Sequence, residues 1–217
     1  MGTHPYKVDG KRVPGVTTVI GRFKESGGLI HWAWQLGKDG KNYRDERDKA
    51  ANAGTVAHDL IEHDIHGRST EGMYQEIDPD VVERARQGFA AYKTWADGVR
   101  LQIVDTEMPL VSEKYKFGGC PDGIGFVGDD KTALAVLDWK TSNKLYPDHL
   151  IQVAAYAHLW DENHPERPIT GGVHICRFSK DYADFEHRYF TDTSDAWRLF
   201  LLYRQAYDLA AVLKKRV

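Results

Sequence analysis

The sequence predicts an α/β fold in which a central mixed β-sheet is flanked by helices and preceded by a helical N-terminal part. Residues from about 16 to 98 space their apolar side chains as helices do, whereas the chain from residue 101 has short apolar runs punctuated by glycine, which are typical of strands. A helical segment between two of these runs indicates a crossover between parallel strands. With 217 residues, we expect a single domain, residues 1–99 being mostly helical and 100–217 forming the sheet core and a C-terminal helix.

Four helices are predicted in the first half of the chain. Apolar residues at positions 81, 82, 85, 89 and 92 follow the helical period. Breaks come from Gly27-Gly28, from residues 67–69 and from Asp78-Pro79. The predicted helices span residues 16–23, 29–49, 55–66 and 80–99.

The second half is predicted to combine five strands with two helices. The strands span residues 101–111, 117–127 (with a break at Pro121-Asp122-Gly123), 134–139, 171–178 and 185–190. One helix begins at Pro147 and continues to about residue 160. The other has Thr193 or Ser194 as its N-cap and continues to residue 213.

The composition excludes several classes of protein. The chain is 41% hydrophobic and 28% charged, so we exclude disordered and collagen-like proteins. Mean hydropathy is −0.54, and no apolar run reaches the length of a membrane span. The first residues lack the apolar segment of a secretory signal, and Cys120 and Cys176 are too few for a disulfide framework. We therefore expect a soluble cytoplasmic protein of a bacterial cell or of a phage-infected host.

Charge is distributed unevenly along the chain. The net charge of −3 argues against a protein that coats nucleic acid non-specifically. Residues 1–49, however, carry ten Lys and Arg against six Asp and Glu, so this segment could meet phosphates. Four basic residues recur there at three-residue spacing in a predicted helix, where the alternative is a solvated face paired with neighbouring acids. These candidate nucleic-acid contacts are Lys38, Lys41, Arg44 and Arg47.

The most informative segment is Asp138-Trp139-Lys140, at the end of a predicted strand. Residues two apart on a strand share a face, so Asp138 and Lys140 should point together and Trp139 should point to the opposite layer. The apolar run before them indicates a covered strand, where a charge is costly unless it is paired or bound to metal. With Asp122 on the preceding strand, two carboxylates beside a lysine suit one or two Mg²⁺ or Mn²⁺ ions. The alternative is a solvated strand edge.

Two further pairs and one acidic residue are candidates for the same site. Gln152 and Tyr156 are four residues apart on a predicted helix, and so are His58 and Glu62 on another. Glu107 is an acidic residue in an otherwise apolar predicted strand. Each has an ordinary structural alternative, as a residue of an amphipathic helix or as a satisfied polar side chain.

Taken in chain order, these residues resemble a known family. Gly54-Thr55-x-x-His58, Glu107, Pro121-Asp122-Gly123, Asp138-Trp139-Lys140 and Gln152-x-x-x-Tyr156 are similar to the motifs of the PD-(D/E)XK nuclease superfamily, and within it to the RecB-like and phage-type exonuclease branch. The segment from Val13 to Ile20 resembles the Pro-Ser-Val-Thr segment of such proteins, with Gly15 in place of the serine. The likeness covers roughly residues 13–160.

The resemblance implies a restriction-endonuclease-like core and phosphodiester hydrolysis with Mg²⁺ or Mn²⁺. It implies that Asp122 and Asp138 ligate metal, with His58 as an additional ligand, and that Lys140 positions or activates the attacking water. Glu107 matches an acidic residue whose role varies, and Gln152 and Tyr156 would orient the site or contact the DNA backbone. The branch that carries an iron–sulfur cluster uses four cysteines, so no cluster is expected with the two present here.

We therefore expect a metal-dependent DNA nuclease, most plausibly an exonuclease of phage or bacterial recombination or repair. Its expected partners are DNA and a single-strand-annealing or other recombination protein, with no membrane; oligomerisation stays open. A site-specific or structure-specific endonuclease is the first alternative. A non-catalytic nucleic-acid-binding protein would predict loss of Asp122, Asp138 or Lys140, and all three are present. A zinc site at His58, His63 and His66 is disfavoured because the three do not share one helix face.

Overall fold

The structure is a computed structural model that describes residues 5–24, 26–178 and 185–216, without the side chains of residues 49–53. In these ranges it contains six helices, α1 (Val16–Phe23), α2 (Gly27–Lys38), α3 (Tyr43–Ile65), α4 (Pro79–Gly98), α5 (Pro147–Asn163) and α6 (Ser194–Lys214). The strands are β1 (Lys7–Val8), β2 (Lys11–Arg12), β3 (Gln102–Thr106), β4 (Leu110–Ser112), β5 (Phe117–Gly119), β6 (Gly123–Phe126), β7 (Leu134–Thr141), β8 (Val173–Phe178) and β9 (Phe185–Phe190).

The central sheet has five strands in the order β3-β6-β7-β8-β9. β7 and β8 are parallel and are joined through α5, whereas the other neighbours pair antiparallel. The strand pairs β1-β2 and β4-β5 form two small separate sheets. This confirms the predicted α/β fold with a mixed sheet and a helical crossover.

Helices cover the sheet on both faces. Val136 of β7 belongs to a core with α1, α5 and α6, in which Phe200 is fully buried. Leu137 and Trp139, which alternate with Val136 along the strand, belong to a core on the other face with Tyr92 of α4. β7 is therefore covered on both faces, as its apolar run predicts. No helix in the described ranges is long and apolar enough to cross a membrane.

The predicted boundary between the second and third helices is wrong. The break lies at residues 39–42, where Gly40 has a φ of 68° and the side chain of Asn42 caps α3 by accepting from the amide of Arg44 at 2.9 Å. α3 then continues without interruption through Gly54, which the sequence prediction placed at a helix start. A Cβ at Gly54 would lie 2.7 Å from the hydroxyl oxygen of Thr141. Glycine at this position therefore allows α3 to approach the end of β7 closely.

The same break separates the four basic residues that were predicted to recur on one helix. Lys38 ends α2, Lys41 lies in the connecting turn, and Arg44 and Arg47 lie on α3. The ammonium of Lys38 lies 4.6 Å from the centre of its own helix's Trp34 ring. A common face for these four residues is therefore wrong, and their role in binding nucleic acid stays a prediction.

Two predicted strands are each divided in the structure. The strand predicted over residues 101–111 is split into β3 and β4, and Glu107 lies between them with a φ of 47°. The strand predicted over residues 117–127 is split into β5 and β6, and Asp122 directly precedes β6. Pro109 and Pro121 lie in the two gaps and cannot donate a ladder hydrogen bond, which explains the interruptions. Both acidic residues consequently lie at strand ends.

Candidate active site

A cleft of about 1660 Å³ opens where α3, the ends of β6 and β7, and the first turns of α5 meet. The segment from Pro5 to Thr18 forms another wall. Residues that were singled out from the sequence line this cleft, among them His58, Glu62, Glu107, Asp122, Lys140, Gln152 and Tyr156. Asp138 is buried directly beside Lys140. The four basic residues at 38–47 are not among the lining residues.

Asp138 and Lys140 form a close ion pair on one face of β7. The Nζ of Lys140 lies 2.5 Å from Oδ2 of Asp138, and the lysine side chain is 16% exposed. Neither oxygen of Asp138 accepts a well-directed hydrogen bond from the described residues. Burial raises the pKa of Asp138, although the positive charge of Lys140 acts in the opposite direction. Burial lowers the pKa of Lys140, but the negative charges of Asp138 and Asp122 outweigh this effect, so the pKa of Lys140 is raised. Lys140 therefore stays charged, and the carboxylate has capacity for a second cation.

Strand pairing brings Asp122 next to this ion pair. β6 and β7 are antiparallel with Gly123 opposite Leu137, so the register places Asp122 opposite Asp138. Oδ2 of Asp122 accepts a hydrogen bond of 2.9 Å from the backbone amide of Trp139. Two carboxylates on neighbouring strand ends are thus held side by side by backbone geometry.

Further carboxylates crowd the α3 side of the cleft. The pKa of Glu107 is raised, first by burial and then by the negative charges of Glu62 and Asp122. The pKa of Asp59 is raised by burial and by Glu62. Such mutual repulsion is relieved when a cation binds between the groups. His58 lies on the same helix and lines the same cleft.

These residues fit a hard divalent cation. The fully buried carboxylate of Asp138 has oxygens without a directed partner, and Asp122 and Glu107 add oxygen donors of the kind that Mg²⁺ and Mn²⁺ prefer. Within the described part of the chain, no three His, Cys, Asp or Glu side chains are already grouped to hold an ion. The individual ligand roles of Asp122, Asp138 and His58 therefore stay predictions.

Gln152 and Tyr156 meet one turn apart on α5. The amide nitrogen of Gln152 donates a hydrogen bond of 2.8 Å to the hydroxyl of Tyr156. The tyrosine ring packs against Gly119, where a Cβ would lie 2.7 Å from the ring. Burial, and then the charges of Asp122 and Asp138, raise the pKa of Tyr156, so its hydroxyl stays protonated and can donate.

Among the lining residues that were not singled out from the sequence are Tyr6, Lys116 and His149. Lys116 has a φ of 54°, and the guanidinium of Arg204 on α6 holds its carbonyl by hydrogen bonds of 3.1 and 2.9 Å. No local pattern reveals contacts between such distant segments. His149 had a signal, because it lies three residues before Gln152 and shares its helix face.

Comparison with solved structures gives low-identity similarities. A proposed exonuclease from Eubacterium rectale is 13% identical, with a TM-score of 0.48 over 71% of this chain and 64% of that one. A protein named SSO0001 is 15% identical, with a TM-score of 0.33 over 74% of each chain. The chain thus spans less than two thirds of the Eubacterium rectale structure. No curated protein matches the chain.

Comparison with protein families gives a match to the PD-(D/E)XK nuclease superfamily over residues 12–211. That range contains the residues that form the floor of the cleft, namely His58, Glu107, Asp122, Asp138, Lys140, Gln152 and Tyr156. The chain belongs to the PD-(D/E)XK nuclease superfamily.

Proposed function

We propose that the protein is a Mg²⁺- or Mn²⁺-dependent deoxyribonuclease, and that it acts as an exonuclease in phage or bacterial DNA recombination or repair. The observation that carries the proposal is the meeting of Asp122, Asp138 and Lys140 at the ends of two paired strands beside an open cleft. Membership of the nuclease superfamily supports the same chemistry.

In this proposal the floor of the cleft binds metal and water. Asp122 and Asp138 hold the ion, with His58 as an additional ligand from α3. When bound, the ion makes water a better nucleophile near neutral pH and offsets the negative charge that develops on the phosphate. Lys140, a compact ammonium held 2.5 Å from Asp138, positions the water and steadies the phosphate.

Glu107, Gln152 and Tyr156 complete the proposed site. Glu107 lies next to Asp122 at the end of β3 and adds a carboxylate to the floor. Because the hydroxyl of Tyr156 accepts its bond from Gln152, its own proton is available for the DNA backbone. This hydrogen bond thereby fixes the orientation of the two side chains on the α5 side of the site.

Basic side chains line the same cleft as the carboxylates. They include Lys11, Arg12 and Lys116, of which Lys116 also pairs with Asp9 at 3.3 Å. Basic side chains around an acidic floor suit a phosphate backbone that must approach bound metal. This distribution supports DNA as the substrate.

Exonuclease activity, rather than internal cleavage, is supported by the motif set. Gly54 with His58, and Gln152 with Tyr156, resemble the motifs of the exonuclease branch and occupy one cleft in the structure.

The test is digestion of linear duplex DNA and of a closed circular plasmid, with Mg²⁺ or with EDTA. We expect the linear DNA to be degraded, the circle to survive, and EDTA to stop the reaction. The variant Asp138→Asn, which keeps the size of the side chain, should be slower by at least about 100-fold. Rapid nicking of the plasmid would instead favour the endonuclease alternative, and undiminished hydrolysis in EDTA would remove metal from the mechanism.

A further inference from the structure

His149 lies at the third position of α5 and faces the cleft beside Lys140. With Gln152 and Tyr156 it forms a row along one side of α5, because residues three and four apart on a helix are neighbours. None of the roles described above uses its imidazole ring.

The hydrogen bonding of His149 determines which ring nitrogen carries the proton. Nδ1 lies 3.4 Å from the backbone nitrogen of Tyr146, the N-cap of α5. A backbone amide can only donate, so Nδ1 is the acceptor, and a neutral ring must carry its hydrogen on Nε2. No protein group in the described part of the chain hydrogen-bonds to Nε2, so this N–H is an available donor on a residue that lines the cleft.

The surroundings keep this ring neutral. Burial lowers the pKa of His149 to about 4, and the positive charges of Lys140 and Lys24 contribute in the same direction. A ring that is neutral at physiological pH can donate a hydrogen bond but has no extra proton to give to a leaving group.

We propose, on the basis of the nuclease function proposed above, that His149 binds the DNA phosphate beside Lys140 by donating a hydrogen bond from Nε2 to a non-bridging oxygen. The ammonium of Lys140 supplies charge without a fixed direction, whereas the imidazole supplies a donor of fixed direction. Together they fix the rotation of the phosphate relative to the attacking water. His149 is thus a phosphate-binding residue of the reaction, and its capping bond sets its tautomer.

Two substitutions separate the cap from the donor. In His149→Asn, the side-chain oxygen replaces Nδ1 as acceptor for the amide of Tyr146, but nothing reaches the position of Nε2. In His149→Gln, the amide nitrogen reaches toward that position. We expect His149→Asn to keep its melting temperature and lose about 10- to 100-fold in kcat/KM on linear duplex DNA with Mg²⁺, because a hydrogen bond to a charged group is lost. His149→Gln should recover part of that loss.

The matched control is His158→Asn, the same substitution on the same helix at a residue that stacks on Trp197 with a ring separation of 4.0 Å. It should cut DNA at the wild-type rate. A His149→Asn variant as active as wild type would overturn the inference and leave the nuclease function standing. A pH–rate profile that loses a limb between about pH 5 and 7 in His149→Asn would also overturn it, since the ring would then titrate. A wild-type protein that does not cut linear DNA with Mg²⁺ or Mn²⁺ would overturn the proposed function and this inference together.

Discussion

Two cationic side chains lie side by side in the central sheet and differ in their hydrogen-bond partners. Lys140 on β7 and Arg177 on β8 are register partners. Arg177 donates to Glu186 at 2.9 Å and to the carbonyl of Ser142 at 3.1 Å. Lys140 pairs with Asp138, whose oxygens accept no well-directed hydrogen bond in the described part of the chain.

The difference distinguishes a structural ion pair, whose hydrogen bonds are satisfied, from one whose carboxylate still has unused acceptors. Arg177 ties β9 to β8 and the end of β7 through satisfied hydrogen bonds, so its contribution is to stability. A buried carboxylate with unfilled hydrogen-bonding capacity is destabilising, and such groups concentrate at functional sites. Neighbouring positions in one sheet therefore do not imply the same role.

The largest effect is expected at Lys140. Lys140→Arg keeps the charge, but a planar guanidinium cannot replace a compact ammonium that holds one water beside a metal. Both Lys140→Arg and Lys140→Ala should lose at least about 100-fold in kcat on linear DNA, and Lys140→Arg should retain its fold and DNA binding. Circular dichroism and binding of labelled DNA are the controls. Two variants that cut like wild type would leave Lys140 with a structural role only and would refute the Asp-x-Lys interpretation.

The second-largest effect is expected at Arg177, where stability should change and turnover should not. Arg177→Met removes hydrogen bonds to a carboxylate and to a carbonyl, and should lower the free energy of unfolding by about 2 kcal/mol. In a chain of this size, that corresponds to a melting temperature lower by about 4–8 °C. Turnover on linear DNA, measured below the melting transition, should change less than about threefold. A loss of turnover as large as that at Lys140 would erase the distinction between the two cations.

The smallest effect is expected at Glu186, in how much stability the protein loses at acidic pH. Arg188 and then Arg177 lower the pKa of Glu186, so the charged carboxylate stabilises the fold above its unfolded pKa and loses this contribution as the pH falls through the folded pKa. Glu186→Gln should therefore lose less stability than wild type between about pH 7 and about pH 3, as measured by urea midpoints. Solvent screening of this surface carboxylate keeps the change small. Equal acid sensitivity in both proteins would show that the pair contributes nothing to stability.

Local periodicity explains what the sequence predicts well. Strand alternation places Trp139 against Tyr92 on the helical layer of α4, with ring centres 6.1 Å apart, and places Asp138 with Lys140 on the other face. The crossover helix and the spacing of Gln152 and Tyr156 are equally local. These features depend on residues within a few positions of one another, so a single sequence contains them.

Contacts between distant segments explain what it predicts poorly. Gly54 was predicted at a helix start, because its contact with Thr141 is not visible in the local sequence. Glu107 resembles a strand residue, but β3 ends at Thr106, where the amide of Glu107 lies 3.4 Å from the carbonyl oxygen of the distant Asp122. For His149, its spacing from Gln152 was a local signal, but that it lines the same cleft as Lys140 depends on the distant strand β7.

The turn before β5 is held by contacts from both directions along the chain. The ring of Tyr6 packs directly on Gly118, and the guanidinium of Arg204 holds the carbonyl of Lys116 across 88 positions of sequence. Closing such long loops is slow and comes after local helices have formed. We therefore expect the segment that leads to Asp122 to be completed late in folding, so that partly folded chains should have helices without an assembled cleft. Such chains should also lack the nuclease activity proposed above, because its carboxylates would not yet be brought together.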